Sequence, residues 1–301
     1  DYPVTNAAFQ TSHAGGSQDG FFARFSASGA LVYSSFIGGA TEEGLTAIAV
    51  DGNDNVILAG TSCSSNYPTT AGAYQSSVRG CNAVITVFSS NHSLLWSTFL
   101  GGYDLSPGAL GVTTNASNIF VVGQYAGWDF PVTPNAAQPL FGGRKDAFVA
   151  SFDINGALRW STFLGGSHED FCMDVTTTPG GDVLVCGYST SMDIPVSNCL
   201  YGEPGPGLNR NVIVAKYSPS GALLASTYFG GLQDEAYSVA AIDEIHALLA
   251  GYATDRFPVT PDAFQRTYGG TPNSSVARGA TWFRLGASSL PHVPFCPGDT
   301  V

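Results

Sequence analysis

Short apolar runs separated by Gly-, Asn- and Asp-rich breaks recur along the chain, and they recur in a fixed order. One kind of run is Thr46–Val50, Ala109–Thr113, Cys172–Val175 and Ser238–Ala241. A second kind follows each of these: Val56–Ala59, Ile119–Val122, Val183–Cys186 and Ala247–Ala250. The breaks between them, Asp51–Asn55 and Pro179–Asp182, hold Gly, Asn and Asp, which tolerate the backbone of tight hairpin turns. A third kind is Phe21–Phe25, Ala83–Phe88, Ala147–Phe152, Val212–Tyr217 and Ala280–Arg284. The fourth is Tyr33–Ile37, Trp96–Leu100, Trp160–Leu164 and Ser226–Phe229, reached through turns such as Asn155-Gly156 and Ser220-Gly221. In order, the four kinds predict strands a, b, c and d. Strands a and b are mostly apolar, which predicts burial on both faces. Strand d alternates aromatics with Ser and Thr, as a half-buried outer strand does.

Two further motifs keep the same phase. A motif close to Asp-aromatic-Pro-Val-Thr has its prolines at 3, 68, 131, 195 and 258, and a double glycine after strand d begins at 38, 101, 165 and 230. The steps are all close to 64 residues. A repeat of that length with four strands cannot bury its core alone, so neighbouring repeats must stack.

Four antiparallel strands per unit describe the blade of a β-propeller. The segments 146–166, DAFVASFDINGALRWSTFLGG, and 129–138, DFPVTPNAAQ, resemble the SBBP-type bacterial β-propeller repeat family, and the resemblance covers roughly residues 1–286. It implies an all-β propeller module of a large secreted or surface protein, and it implies no common chemistry.

The expected architecture is a repeat domain over 1–286, with four to five blade positions and incomplete first and last repeats, then an extended Pro-rich arm over 287–301. The chain opens with strands c and d and closes with a, b and c. N-terminal c and d can complete the blade begun by C-terminal a and b. One c copy, within 1–29 or 256–286, is then left over. Alternatively, another protomer fills the incomplete positions, head to tail.

Composition narrows the function classes. With 11 basic and 23 acidic residues the net charge is −12, which argues against nucleic acid and anionic membrane surfaces as partners. No apolar run approaches a membrane-spanning length. The chain starts at Asp1, as a processed or trimmed chain would. Six Cys without a CxxC pair fit disulfides in an oxidising, extracellular or cell-surface setting. The expected pairs are Cys63 with Cys81, Cys172 with Cys186 across strands a and b, and Cys199 with Cys296, the alternative being buried free thiols. Asn91, Asn115 and Asn273 each begin a glycosylation tripeptide.

The chemistry is sparse. Neither Gly-x-Ser-x-Gly nor His-Glu-x-x-His occurs, and His13, His92, His168, His246 and His292 have no ligand spacing. The loops between d and a carry Glu42, Glu43, Asp104, Glu169, Asp170, Asp234 and Glu235. Such acids suit Ca²⁺, but they also bond turn amides, and the turn role is the expected one; no cofactor is expected. The reading is a non-enzymatic extracellular structural or interaction module, with a self-assembling filament or surface-layer subunit, whose partner is itself, as its specific form. The alternative is a monomeric, adhesin-like propeller that binds carbohydrate or protein.

Overall fold

The apolar runs fold as antiparallel hairpins in the order a, b, c, d. A computed structural model describes residues 2–104, 108–199, 203–204, 209–230, 232–255, 257–259, 261, 263, 265–269 and 277–284, with backbone only for Asp104 and 277–284. There is no helix among the described residues. The first sheet is the pair β1 (Gly20–Phe25) and β2 (Leu31–Ile37). Next come β3 (Glu43–Val50), β4 (Val56–Ser62), the short β5 (Arg79–Gly80), β6 (Asn82–Phe88), β7 (Leu94–Leu100) and the short β8 (Tyr103–Asp104). Of these, β3-β4-β6-β7 form one sheet in that order, while β5 and β8 pair in parallel. The strands β9 (Gly108–Thr114), β10 (Asn118–Tyr125), β11 (Asp146–Asp153) and β12 (Leu158–Leu164) form a sheet in chain order. So do β13 (Asp170–Thr177), β14 (Val183–Ser189), β15 (Asn211–Tyr217) and β16 (Leu223–Phe229). The last sheet is β17 (Glu235–Ala241), β18 (His246–Ala253) and β19 (Ala277–Arg284). The architecture is all-β, built of antiparallel four-stranded sheets, and is consistent with a propeller-like fold. The arm expected over 287–301 lies outside the described residues.

Burial is distributed differently from the sequence expectation. Strand c is the most buried strand of the four-stranded sheets: every residue of β6 and β15 is buried. Strand a, in β3, instead alternates between partly buried and exposed positions, since one of its faces is uncovered. Strand d is buried from its third residue onward in β7, β12 and β16. The cause is the long excursion between b and c, which returns along the outer edge of d. The amides of Thr5, Thr70, Thr133 and Ser197 donate to the carbonyls of Ser34, Ser97, Ser161 and Ser226 at 3.1–3.2 Å. The Pro-Val-Thr motif therefore covers an edge strand that would otherwise present unpaired backbone groups.

Three a–b pairs, β3–β4, β13–β14 and β17–β18, carry a bulge at the same place: between Leu45 and Ala47, Cys172 and Asp174, and Ala236 and Ser238. The facing residue of strand b is Gly60, Gly187 or Gly251, where an added Cβ would run into the backbone of Gly44, Phe171 or Glu235. Only glycine lets the bulged strand approach so closely.

The chain divides into two compact units, residues 1–121, 125–131 and 152–158 in one and 122–124, 132–151 and 159–301 in the other. In the first, Phe22, Tyr33 and Ile37 of the β1–β2 hairpin pack with Leu58, Val84, Phe88 and Phe99. In the second, Leu184, Cys186, Val212, Val214 and Phe229 pack with Ala236, Val239 and Leu249. Burying one such side chain contributes about 1.5–3 kcal/mol.

Cys63 and Cys81 form a disulfide that closes the β4–β6 excursion. Cys199 is disulfide-bonded as well, and its expected partner, Cys296, lies outside the described residues. Cys172 and Cys186 differ from the expected cross-strand bond: both are buried thiols. The strand register is the reason, since it sets Cys172 opposite Gly187 and Cys186 opposite Asp174.

Candidate functional site

Of the acids proposed from the d–a loops, Glu43, Asp170 and Asp234 accept backbone amides. Glu43 accepts the Gly39 amide and the Ser62 hydroxyl, each at 2.8 Å. Asp170 accepts the Gly166 amide and the Ser191 hydroxyl at 2.8 Å, and the Ser189 hydroxyl as well. Asp234 accepts the Thr254 amide at 2.7 Å, and Glu235 pairs with Arg210. Glu42 accepts the Ser17 hydroxyl at 2.7 Å. Glu169 is half-buried, and its carbonyl accepts the Thr190 amide. Nothing is described of the Asp104 side chain. Among the described residues, no three His, Cys, Asp or Glu side chains converge on a metal-sized site.

The first residue of strand c adds a buried acid. Asp146 lies fully buried, with Oδ2 accepting the Gly142 amide at 2.8 Å and Gln138 Nε2 at 3.0 Å. Its Oδ1 has no hydrogen-bond partner. Burial, reinforced by the negative charge of Asp170, pushes the Asp146 carboxyl up to about 7. Burial also raises Asp170. The sequence reading missed Asp146. Its signal was Asp19, Asn82 and Asn211 at the same place in the other repeats.

The described histidines stand apart: His13, His92 and His168 lie in turns and loops, and His246 begins β18. His13 lies 3.6 Å from Asp19, His92 stacks on Tyr33 with ring centroids 3.8 Å apart, and His246 bonds Asp243 at 2.8 Å. His168 bonds the Ser167 hydroxyl at 3.0 Å, and His292 lies outside the described residues. Of the glycosylation candidates, Asn91 is exposed on the β6–β7 turn, Asn115 is half-buried on the β9–β10 turn, and Asn273 lies outside the described residues.

Two surfaces stand out by what they leave uncovered. The first is the β1–β2 hairpin. Strands β6, β11, β15 and β19 each pair with a strand b, but β1 pairs only with β2. Phe25 of β1 is 63% exposed, whereas Phe88, Phe152 and Tyr217 at the same position are buried. Phe21 is exposed where Val84, Phe148 and Ile213 are buried. On β3, Ile48 is 58% exposed, although the corresponding Val175 and Val239 are buried. These are the residues that a strand a and strand b beside β1, and a sheet stacked beyond it, would cover.

The second surface surrounds Asp129. Its Oδ1 accepts the Tyr125 hydroxyl at 2.6 Å and its Oδ2 accepts the Tyr103 amide at 2.7 Å. Burial alone would raise the Asp129 carboxyl, but these hydrogen bonds and nearby Arg79 hold it below the usual carboxylate range. Beside this anchor Trp128 is 86% exposed and Tyr103 72% exposed. Both escaped the sequence reading, although the neighbouring Gly127 and Gly102 mark tight turns that push side chains outward.

Among the described residues no helix is long and apolar enough to cross a membrane. In comparison with known proteins, the chain matches no protein-family model and no curated protein.

Proposed function

We propose that the chain is a non-enzymatic, extracellular module of the SBBP-like β-propeller type that assembles with further copies of itself through its first sheet. The observation that carries this reading is the open edge of β1 with Phe25 exposed beside it. An exposed strand edge with an apolar face templates a further strand. The strand that fits is a strand b of this repeat, followed outward by a strand a. A second copy supplies both as β17 and β18. Its β19 occupies the place that β1 would take, but β19 leaves a three-stranded sheet, whereas the β1–β2 hairpin completes four strands. The same placement sets that copy's β13–β16 sheet over Phe21 and Phe25 and its β17 near Ile48, so one neighbour accounts for all three exposed side chains. The Cys63–Cys81 bond supports an oxidising extracellular setting.

The test is light scattering after size exclusion, with negative-stain imaging, of the native protein and of Phe25→Asp and Ile48→Asp variants. Concentration-dependent polymers that both variants dissolve are expected. A strict monomer at high concentration, with the amides of β1 protected from hydrogen exchange, would overturn the reading, because the first sheet would then be completed within one chain.

A further inference from the structure

We infer that Trp128, Tyr103 and Arg79 form a binding surface for an acidic carbohydrate, a pyranose bearing a carboxylate. None of its residues belongs to the β1–β2 hairpin, and the inference does not depend on self-assembly. Three segments bring these residues together. Arg79 and Tyr103 are direct partners in the parallel β5–β8 pair. Tyr103 is tied through its amide to Asp129, and Trp128 is the residue before Asp129.

Each segment is held in place by structure that does not use the exposed side chains. Arg79 stands two residues before Cys81, whose disulfide to Cys63 closes the excursion, and Gly80 between them takes a φ of 79°. Trp128 sits in the turn from Tyr125 to Asp129, closed by the bond between their side chains at 2.6 Å. The Tyr125 hydroxyl in turn accepts the Gly102 amide at 2.8 Å. One carboxylate and one phenol thus fix the backbones of both aromatic residues. With the backbone fixed, only side-chain ordering opposes binding, about 0.5–1.5 kcal/mol for each immobilised side chain.

The exposed groups point to the ligand. A Trp ring exposed to 86% is unusual for a residue whose burial is among the most favourable available to a chain. The electron-rich faces of Trp and Tyr attract the polarised C–H bonds of a sugar ring, and a flat ring covers each without a pocket. Arg79 is exposed and adds a planar cation that binds a carboxylate through two parallel hydrogen bonds. On a chain of net charge −12 such a cation selects the acidic sugar over a neutral one at short range. The sequence neighbours Gly80, Gly102, Ala126 and Gly127 are small. Three side chains on that scale fall well short of the roughly 800 Å² that each partner buries in a stable protein interface.

The experiment is a titration followed by tryptophan fluorescence and by calorimetry. It uses the Phe25→Asp chain as well as the native one, so that failure of self-assembly and failure of saccharide binding are read separately. The probes are sialyllactose, a glucuronate-containing hexasaccharide, neutral cellohexaose and a poly-glutamate peptide. Saturable binding of at least one acidic saccharide is expected, with a blue shift in emission. Trp128→Ala should weaken it more than tenfold and Tyr103→Ala several-fold. Arg79→Gln should erase the preference for acidic over neutral saccharide while leaving residual stacking. Unchanged thermal midpoints in these exposed variants show that folding is intact. No saccharide response up to 10-fold above millimolar probe, unchanged affinity in Trp128→Ala, or equal binding of poly-glutamate would each overturn the inference, the last in favour of an acidic protein partner.

Discussion

Gln138 donates through Nε2 to Asp146 Oδ2 at 3.0 Å, while its Oε1 accepts the Gly165 amide at 3.0 Å. Gln75 makes the same pair of bonds with Asn82 and Gly101, and Gln10 with Asp19 and Gly38. One side chain therefore joins the b–c excursion, the start of strand c and the end of strand d in each of these three repeats. The main chain of Gln138 adds two more bonds to β12, through the Thr162 hydroxyl and the Phe163 amide. The main-chain bonds survive truncation, but the side-chain bonds do not. Gln138→Ala should cost about 2 kcal/mol, since it leaves buried polar groups without partners. Gln138→Glu should cost at least as much, because it places a charge against Asp146. Denaturant unfolding of the three proteins measures both, and an unchanged midpoint for Gln138→Ala would remove the clamp from the account.

The second prediction concerns pH. The Asp146 carboxyl is raised to about 7 by burial and by Asp170, above the ordinary value of 3.8 that the unfolded chain retains. The folded state therefore holds this proton more tightly than the unfolded state does. Its contribution to stability is complete below about pH 4 and is lost progressively as pH rises to 7. Asp146→Asn removes the ionisation, and Asn82 shows that the amide fits, with Nδ2 donating to the Gly102 carbonyl at 2.8 Å. The variant should melt higher than the native protein at pH 8 and close to it at pH 4. Parallel melting curves across that range would exclude Asp146 as the source of the pH dependence.

The order of strands was legible in the sequence because apolar runs, hairpin turns and the period near 64 residues agree. The partner of each strand edge was not. Nothing in Asp-Phe-Pro-Val-Thr announces that the Thr133 amide will meet the Ser161 carbonyl, since that pairing joins backbone groups 28 residues apart. Strand d therefore read as half-exposed and proved buried. The bulges left a trace, a glycine at 60, 187 and 251 late in strand b, whose meaning depends on the closeness of the facing backbone. The acids were visible, but their role depends on which amides the turns aim at them. The exposed Phe25 looked like any other strand c aromatic, because exposure here records a missing neighbour and leaves no mark on the residue itself.

The Cys63–Cys81 bond spans a sequence separation of 18 residues. Closing a loop of that size contributes about 3 kcal/mol in the chain-entropy model. Cys63→Ser with Cys81→Ser should lower stability by roughly that amount. Local hydrogen exchange should rise first at β5 and β8, the two-residue pair that lies beside the bond. If amide exchange at Arg79 and Tyr103 stays unchanged, the parallel pair holds itself and the disulfide is not what positions it.

Cys172 and Cys186 belong to neighbouring strands, and the strand register decides their chemistry. Cys172 faces Gly187 and Cys186 faces Asp174, so the two thiols are not a facing pair. Both side chains are inaccessible, and burial pushes each thiol well above its ordinary range, so almost no thiolate exists at neutral pH. A thiol that is neither ionised nor reachable reacts only after the sheet opens. Maleimide labelling at pH 7.5 should leave both residues untouched in the native protein and modify both in denaturant. Its rate at intermediate denaturant should follow unfolding of the β13–β16 sheet. Rapid labelling of the folded protein, or recovery of a Cys172–Cys186 disulfide by peptide mapping under non-reducing conditions, would mean that β13 and β14 slip out of this register.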